Sequence, residues 1–258
     1  MKRIKNSAKT QMIARKRLRK KLKKCKQKCF PHGHKEKRMT VPEILNKWIL
    51  PLYWESPSCN PLYNYYGSTG MRLFFNGEHY FVCANHEVAG FDCDNLCIPK
   101  NAHNLDTIPL NEKINVASPL FAQEFKDVCF FHIVESDRNN ASLVLKDNVI
   151  DSDLVPGEEL LVLGYPIESN YLDEKNNRFH IHQACYNANF SVKKDDLLSR
   201  ISVNLPDGKS PQGVSGGAVL RKKDFKLCGM LIKCDDDGLG EFYDARIIMM
   251  CLDRIVND

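Results

Sequence analysis

Short runs of β-branched and aromatic residues, separated by Gly, Asn, Asp and Pro, dominate the chain from Tyr63 onwards. MRLFF and EHYFVCA flank Asn76-Gly77, and this arrangement predicts a β-hairpin over 71–84, because Asn-Gly suits the turn whose twist matches its flanking strands. Further strands are predicted at VCFFHIV (128–134), ASLVL (141–145), ELLVLGY (159–165), RFHIHQACY (178–186), GAVL (217–220) and KLCGMLIK (226–233). Many short strands with turn signals between them predict an all-β sandwich or barrel.

Helical patterns occur only near the two ends of this β-rich region. Thr40 and Glu43 form a capping box ahead of Ile44, Leu45, Trp48 and Ile49, and this predicts a short helix that ends before Pro51. At the other end, ARIIMMCLDRIV has helical periodicity and predicts a C-terminal helix.

The composition is that of a folded protein, with 258 residues, 43% of them hydrophobic and 27% charged. No apolar run approaches the roughly 18 to 20 residues needed to span a bilayer, and the lysine-rich start lacks the apolar region of a secretory signal. We therefore expect an intracellular, cytoplasmic protein without a membrane span, or a nuclear one in a eukaryote. The 11 cysteines are expected to be reduced thiols, most of them buried.

Residues 1–38 carry 17 Lys and Arg against a single acid, Glu36, and leave 20 basic and 31 acidic residues for the rest of the chain. A block of like charges usually stays flexible until it meets a polyanion, so we expect a basic flexible tail. Nucleic acid is one candidate partner; acidic lipid, an acidic protein, the chain's own acidic domain and a plain solubility role are the alternatives. The tail also contains a C-x3-C-x2-H-x-H spacing that could hold zinc, formed by Cys25, Cys29, His32 and His34. Because the histidines are closer together than in the usual finger, no metal site is assigned.

Three residues farther along have the chemistry of nucleophilic catalysis. GVSGG places glycines on both sides of Ser215, and His86 follows the predicted hairpin. A serine hydroxyl needs a base to attack at neutral pH, and the base needs a third group to hold its tautomer. Asp127 is the best third candidate because it directly precedes a strand, whereas Asp92, Asp94 and Asp106 lie in polar loop sequence.

Taken together, these segments resemble the chymotrypsin-like (trypsin-like) serine peptidases. The similar segments are GSTGMRLFFNGEHYFVCANH, KDVCFF, GEELLVLGYP and GVSGGAVL, in that order, and the resemblance covers roughly residues 62–257. It implies two antiparallel six-stranded β-barrels with a C-terminal helix. Their predicted extents are 1–38 for the tail, 39–61 for a linker with the short helix, 62–150 for the first barrel and 151–258 for the second barrel and helix.

The resemblance also implies roles for individual residues. Ser215 would be the nucleophile, His86 the base and Asp127 its partner, and the backbone amides of Gly213 and Ser215 would form an oxyanion hole. Lys209, six residues before the serine, would lie at the base of the substrate pocket and favour an acidic side chain. No cofactor is implied, and the substrate would be a peptide or protein.

Two other functions remain compatible with the sequence. One is a catalytically silent barrel that binds peptides; the other is a nucleic-acid-binding protein that acts through its basic tail. The intact Ser215, His86 and Asp127 set favours the peptidase.

Overall fold

The computed structural model describes residues 48–55, 63–90, 95–100, 107–110, 113–114, 127–133, 142–173 and 178–257. Strands make up most of these residues. In chain order they are β1 Ile49–Glu55, β2 Tyr63–Phe75, β3 Glu78–Ala84, β4 Leu96–Pro99, β5 Thr107–Pro109, β6 Lys113–Ile114, β7 Val128–Ile133, β8 Leu143–Val144, β9 Glu159–Gly164, β10 Tyr171–Asp173, β11 Arg178–His180, β12 Ala184–Lys193, β13 Leu198–Val203, β14 Ala218–Arg221, β15 Leu227–Cys234 and β16 Leu239–Asp244. The helices are α1 Leu145–Asn148 and α2 Ala245–Asn257, together with 3-10 turns at Asn85–Glu87 and Ile167–Ser169.

The N-terminal half of the strands forms one sheet in the order β5-β4-β1-β2-β3-β7-β6, which we call the first sheet. Its pairs are antiparallel except that β8 runs parallel to β2. The side chains of Leu50, Phe81 and Phe131 belong to a core that this sheet encloses. Over the described residues the first sheet is therefore a half-barrel of eight strands.

The C-terminal half closes completely, in the order β12-β13-β16-β15-β14-β9, and we call it the second barrel. Closure comes from antiparallel pairing of β9 with both β12 and β14. The interior is filled by apolar side chains such as Val162, Phe190 and Phe242. All four residues of β14 are buried, because Val219 faces the barrel interior while Ala218 and Leu220, on the opposite face, pack in another apolar cluster.

A third apolar cluster joins the first sheet, the second barrel and α2. It contains Trp48 and Met71 from the first half, Leu161 and Tyr165 from the second, and Leu252 from the helix. The Tyr165 hydroxyl donates a hydrogen bond to the Ile49 carbonyl at 3.1 Å across this boundary. The two halves thereby pack together as a half-barrel sheet and a closed six-stranded barrel with a C-terminal helix. This all-β architecture is the fold class that the sequence predicts, except that the first sheet has eight strands over the described residues where six were expected.

Local patterns predicted the central hairpin and the C-terminal helix well. Asn76 and Gly77 form the turn with positive φ values of 49° and 98°, and their strands pair from Gly70 with Cys83 to Phe75 with Glu78. The predicted strand over 178–186 is in fact two, β11 and β12. Of ASLVL, whose first residue lies outside the described residues, Leu143–Val144 is a strand and Leu145 begins α1.

The prediction of a helix that includes Trp48 and Ile49 is wrong. Ile49–Glu55 is a strand, with Pro51 inside it, and it pairs with both β2 and β4. Tertiary pairing thus outweighs the helical spacing of Trp48 and Ile49, and both side chains are buried in the cluster between the halves. The first sheet accordingly begins before residue 62, within the stretch that the sequence assigns to a linker. Residues 40–47 lie outside the described residues.

Candidate active site

His86 and Asp127 lie close together because the antiparallel pairing of β3 with β7 places the end of β3 beside the start of β7. Ala84 at the end of β3 lies opposite Val128 at the start of β7, and the Asn85 amide donates to the Asp127 carbonyl at 3.0 Å. The histidine follows in the 3-10 turn Asn85–Glu87, and the aspartate directly precedes β7.

The His86–Asp127 contact uses both the ring and the backbone of the histidine. Nδ1 of His86 lies 2.7 Å from both carboxylate oxygens of Asp127, and the His86 amide donates to Oδ1 at 2.8 Å. An ionised carboxylate only accepts, so Nδ1 carries a proton. In the neutral imidazole this fixes the tautomer in which Nε2 has the free lone pair, which is the tautomer that a general base requires.

The other ring nitrogen also faces a carboxylate. Nε2 of His86 lies 3.1 Å from Oε1 of Glu87, the next residue in the chain. The imidazole side chain is 46% exposed, whereas Glu87 is only 18% exposed and Asp127 26%. Hydrogen bonds to Asp127 first, and then to Glu87, raise the pKa of His86 to about 10, against the opposing effect of partial burial.

Ser215 lies in a glycine-rich turn, residues 211–217, which we call the nucleophile loop. Gly213 and Gly216 have φ values of 89° and 84°, a left-handed conformation that L side chains rarely adopt. A Cβ at Gly216 would come within 1.9 Å of the Thr69 carbonyl oxygen and 3.2 Å of the Ala84 nitrogen. Gly216 therefore lets this loop pack directly on the middle of β2 and on the end of β3, the strand that leads to His86.

Thr69 of β2 attaches the nucleophile loop to the first sheet. Its amide donates to the Ser215 carbonyl at 3.1 Å, and its hydroxyl donates to the Gly213 carbonyl at 2.7 Å. The same hydroxyl accepts from the Tyr165 amide at 2.8 Å. Since Thr69 is fully buried, all three hydrogen bonds are shielded from water.

Most amides of the nucleophile loop donate to other residues of the protein, that of Gln212 to the Ser210 hydroxyl at 3.4 Å. Those of Val214, Gly216 and Gly217 donate to Pro211, Leu231 and Val214 carbonyls, respectively. Neither the Gly213 amide nor the Ser215 amide donates to any described residue. The loop therefore has two amides, two positions apart in the chain, that make no hydrogen bond to a described residue, and Gly213 itself is buried.

The Ser215 hydroxyl makes no hydrogen bond to His86 among the described residues, where Nε2 contacts Glu87 instead. The Ser215 side chain is half-buried. Val214, which directly precedes the serine, is buried in the core of the second barrel.

Lys209 lies at the end of an exposed turn, where its amide donates to the Pro206 carbonyl at 3.0 Å. Its ammonium is 3.2 Å from Glu168 Oε1, and its side chain is 50% exposed. The neighbouring Ser210 hydroxyl donates to Asp236 at 3.0 Å. A carboxylate therefore already offsets the positive charge that the sequence suggested for the substrate pocket.

Two buried thiols lie on β3 and β7, the strands next to His86 and Asp127 in the chain. Cys83 and Cys129 are directly opposite each other in the β3–β7 pair, and both are buried. Their mutual hydrogen bond raises the pKa of Cys83 and lowers that of Cys129.

The possible zinc ligands of the tail, Cys25, Cys29, His32 and His34, lie outside the described residues. Within the described residues, no cluster of three or more His, Cys, Asp or Glu residues could hold a metal ion. Within the same ranges no helix is long and apolar enough to cross a membrane.

Sequence reasoning missed Glu87 and Thr69. Glu87 had a visible signal, because an acid directly beside a candidate base can reach its ring. Thr69 had none, since its partner Gly213 is 144 residues away in the chain.

The fold is similar to those of several solved structures. A kallikrein-related peptidase 10 structure superposes with a TM-score of 0.52 at 12% identity, covering 82% of this chain and 96% of that one. A scabies mite inactivated protease paralogue superposes with a TM-score of 0.55 at 12% identity, covering 82% and 92%. The fold is that of the chymotrypsin-like serine proteases. No family model and no curated protein matches the sequence. Because one neighbour is an inactivated paralogue, this fold alone does not establish catalysis.

Proposed function

We propose that this chain is a serine endopeptidase that hydrolyses peptide bonds through an acyl-enzyme on Ser215. The observation that carries the proposal is the bond between His86 Nδ1 and both Asp127 oxygens at 2.7 Å, within a chymotrypsin-like fold. The Gly213 and Ser215 amides of the nucleophile loop, which donate to no described residue, support it.

In the reaction, His86 in its neutral form accepts the Ser215 hydroxyl proton at Nε2 while Oγ attacks the carbonyl carbon. The negative charge on the carbonyl oxygen is bound by the Gly213 and Ser215 amides, which act as the oxyanion hole. His86 then returns the proton to the leaving amine as the C–N bond breaks. Water, deprotonated by the same base, attacks the ester carbon and releases the acid, and Ser215 recovers its proton.

Asp127 stays ionised in each step. It holds the ring through Nδ1 and stabilises the imidazolium that forms when Nε2 accepts the proton. The histidine amide donates to the same carboxylate at 2.8 Å and so fixes the position of the turn relative to that carboxylate.

Lys209 is the residue that bears on substrate preference. A lysine six residues before the nucleophile predicts a preference for an acidic residue before the cut, but Glu168 at 3.2 Å neutralises Lys209. The preference for acidic side chains is therefore expected only in substrates that displace Glu168 from Lys209.

A fluorophosphonate probe, which loses fluoride when an activated serine oxygen attacks its phosphorus, tests the proposal. We expect the full chain to be labelled on Ser215, with labelling lost in Ser215→Ala and kept in Ser202→Ala, the matched change at an exposed serine of β13. Labelling that persists at full level in Ser215→Ala would overturn the assignment.

A second candidate is a catalytically silent barrel that binds peptides. The contact between His86 Nε2 and Glu87 favours it, because a histidine held in that way accepts no proton from serine. It predicts no probe labelling at any pH, with peptide binding retained.

A further inference from the structure

Each nitrogen of the His86 ring faces a different carboxylate. Asp127, at the start of β7, lies 2.7 Å from Nδ1, and Glu87, in the histidine's own turn, lies 3.1 Å from Nε2. A neutral imidazole has one N–H and cannot donate to both, whereas the imidazolium donates to both. This geometry favours the protonated ring.

The surroundings of the ring hold few other charges. Among the described residues, Asp127 and Glu87 are the charged groups that interact with the imidazole. The Lys113 ammonium on β6 is bonded to Asn85 Oδ1 at 2.8 Å, and the thiols of Cys83 and Cys129 are buried on β3 and β7. Ser215, on the nucleophile loop, is uncharged. The carboxylate pair therefore decides the charge of the ring.

Glu87 is also held where it can compete with the serine. Its side chain is only 18% exposed, in contrast to the half-exposed imidazole, so it packs against the protein and does not extend into solvent. Its carboxylate occupies Nε2, the nitrogen that must accept the Ser215 proton, and no hydrogen bond from Ser215 reaches that ring. The Glu87 contact thus keeps a proton on Nε2, where the reaction needs a lone pair, and occupies the position that the Ser215 hydroxyl needs beside that nitrogen.

We propose that Glu87 is a positioning residue that restrains the peptidase by holding His86 protonated and by competing with Ser215 for Nε2. This inference rests on the proposed function, since restraint has meaning only if His86 is the base. Catalysis then requires that Glu87 leave Nε2, and a bound substrate that displaces this carboxylate would switch the site on.

The test compares wild type with Glu87→Gln, which keeps the size of the side chain and removes its charge. The matched control is Glu78→Gln, because Glu78 contacts a different imidazole of the first sheet, His132, at 3.2 Å. The rate of fluorophosphonate labelling is measured from pH 5.5 to 10.5 for all three full-length proteins.

We expect the midpoint of the rising, acidic limb to fall by about 1 to 3 pH units in Glu87→Gln, the usual effect of removing a neighbouring opposite charge. Labelling at pH 7 should rise about 10-fold or more, with no change in Glu78→Gln. An unchanged midpoint in Glu87→Gln, or slower labelling at pH 7, overturns the proposal.

NMR titration of the His86 ring in a Ser215→Ala background separates this inference from the proposed function. The midpoint should be far above 6.5, the ordinary value for histidine, and should fall when Glu87→Gln is added. If no protein is labelled yet the titration behaves in this way, the peptidase assignment fails and the Glu87 contact stands. A midpoint near the ordinary value overturns the Glu87 proposal whatever the labelling shows.

Discussion

The hydroxyl of Thr69 donates a hydrogen bond to the carbonyl of Gly213 at 2.7 Å, and so connects the first sheet to the loop that carries Ser215. The same oxygen accepts from the Tyr165 amide at the end of β9. One buried side chain thereby sets the position of the nucleophile loop relative to both halves of the molecule.

Replacing this threonine by a shape-matched apolar residue should disturb both the fold and the site. Thr69→Val leaves the Gly213 carbonyl and the Tyr165 amide without their partner, and a buried unpaired polar group costs about 1–3 kcal/mol. We expect lower stability in urea denaturation and slower probe labelling. Thr69→Ser, which keeps the hydroxyl, is the control, and equal behaviour of the two variants would show that the hydrogen bonds are unimportant.

Asp127→Asn should impair catalysis while preserving the fold. An asparagine amide can donate to Nδ1 and so favours the wrong tautomer of His86. By analogy with the Ser-His-Asp template, turnover should drop by roughly 10⁴. Turnover of a peptide mixture, read by mass spectrometry, measures the effect, and far-UV circular dichroism checks the fold. Near-normal turnover would assign the partner role to another acid.

Stability should depend on pH through His86. The pKa of this residue is raised to about 10 in the folded protein, against an ordinary value near 6.5 when unfolded, so the folded state binds more protons between these values. The stabilisation is fully present below about pH 6.5 and is lost as pH rises through about 10.

Urea denaturation of wild type and His86→Gln at pH 6, 8 and 10.5 measures this dependence. The difference between the free energies of unfolding of the two proteins should shrink steadily as pH rises. Because the ring is half-exposed, solvent screening keeps the effect modest. A difference that is constant with pH would contradict the raised pKa.

Gly216→Ala should destabilise the protein much more than an alanine at another glycine with a left-handed backbone conformation. Both Gly216 and Gly77 have positive φ values, and a left-handed conformation costs an L residue about 1–2 kcal/mol. A Cβ at Gly77 meets nothing within 4 Å, whereas one at Gly216 comes within 1.9 Å of the Thr69 carbonyl oxygen. We expect Gly77→Ala to lose only that cost and Gly216→Ala to lose more, together with probe labelling. Equal thermal midpoints for the two variants would contradict the tight packing of the loop.

Removal of residues 1–37 tests the basic tail. A chain that starts at Arg38 retains all the described residues, which begin at Trp48. It should keep its thermal midpoint and probe labelling but lose binding to DNA or RNA, measured at low salt by fluorescence anisotropy. Binding by the full chain should weaken steeply as salt rises, because neutralised phosphates release counterions. Full-length protein that binds no polyanion at low salt would favour a solubility role for the tail.

The sequence by itself determined the features that depend on neighbours in the chain. Asn76-Gly77 specifies the hairpin over β2 and β3 through its own dihedral preferences, and the periodicity of α2 specifies that helix. The sequence predicts Asp127 as the partner of His86 because it directly precedes an apolar strand, and the pairing of β3 with β7 does bring it to His86. The fold class follows from the same local signals, since many short strands without intervening helices can bury their apolar faces only in sandwiches or barrels.

Only the tertiary structure determined the contacts between segments that lie far apart in the sequence. Ile49–Glu55 is a strand despite the helical spacing around it, because β2 and β4 offer it partners on both sides. Thr69 meets Gly213 across 144 residues, a contact with no local signature. Whether the ring nitrogen of His86 faces Ser215 or Glu87 depends on where two side chains point once both halves have packed. Dihedral preference and periodicity act over a few residues, whereas such contacts are selected by the packing and hydrogen bonding of the whole fold.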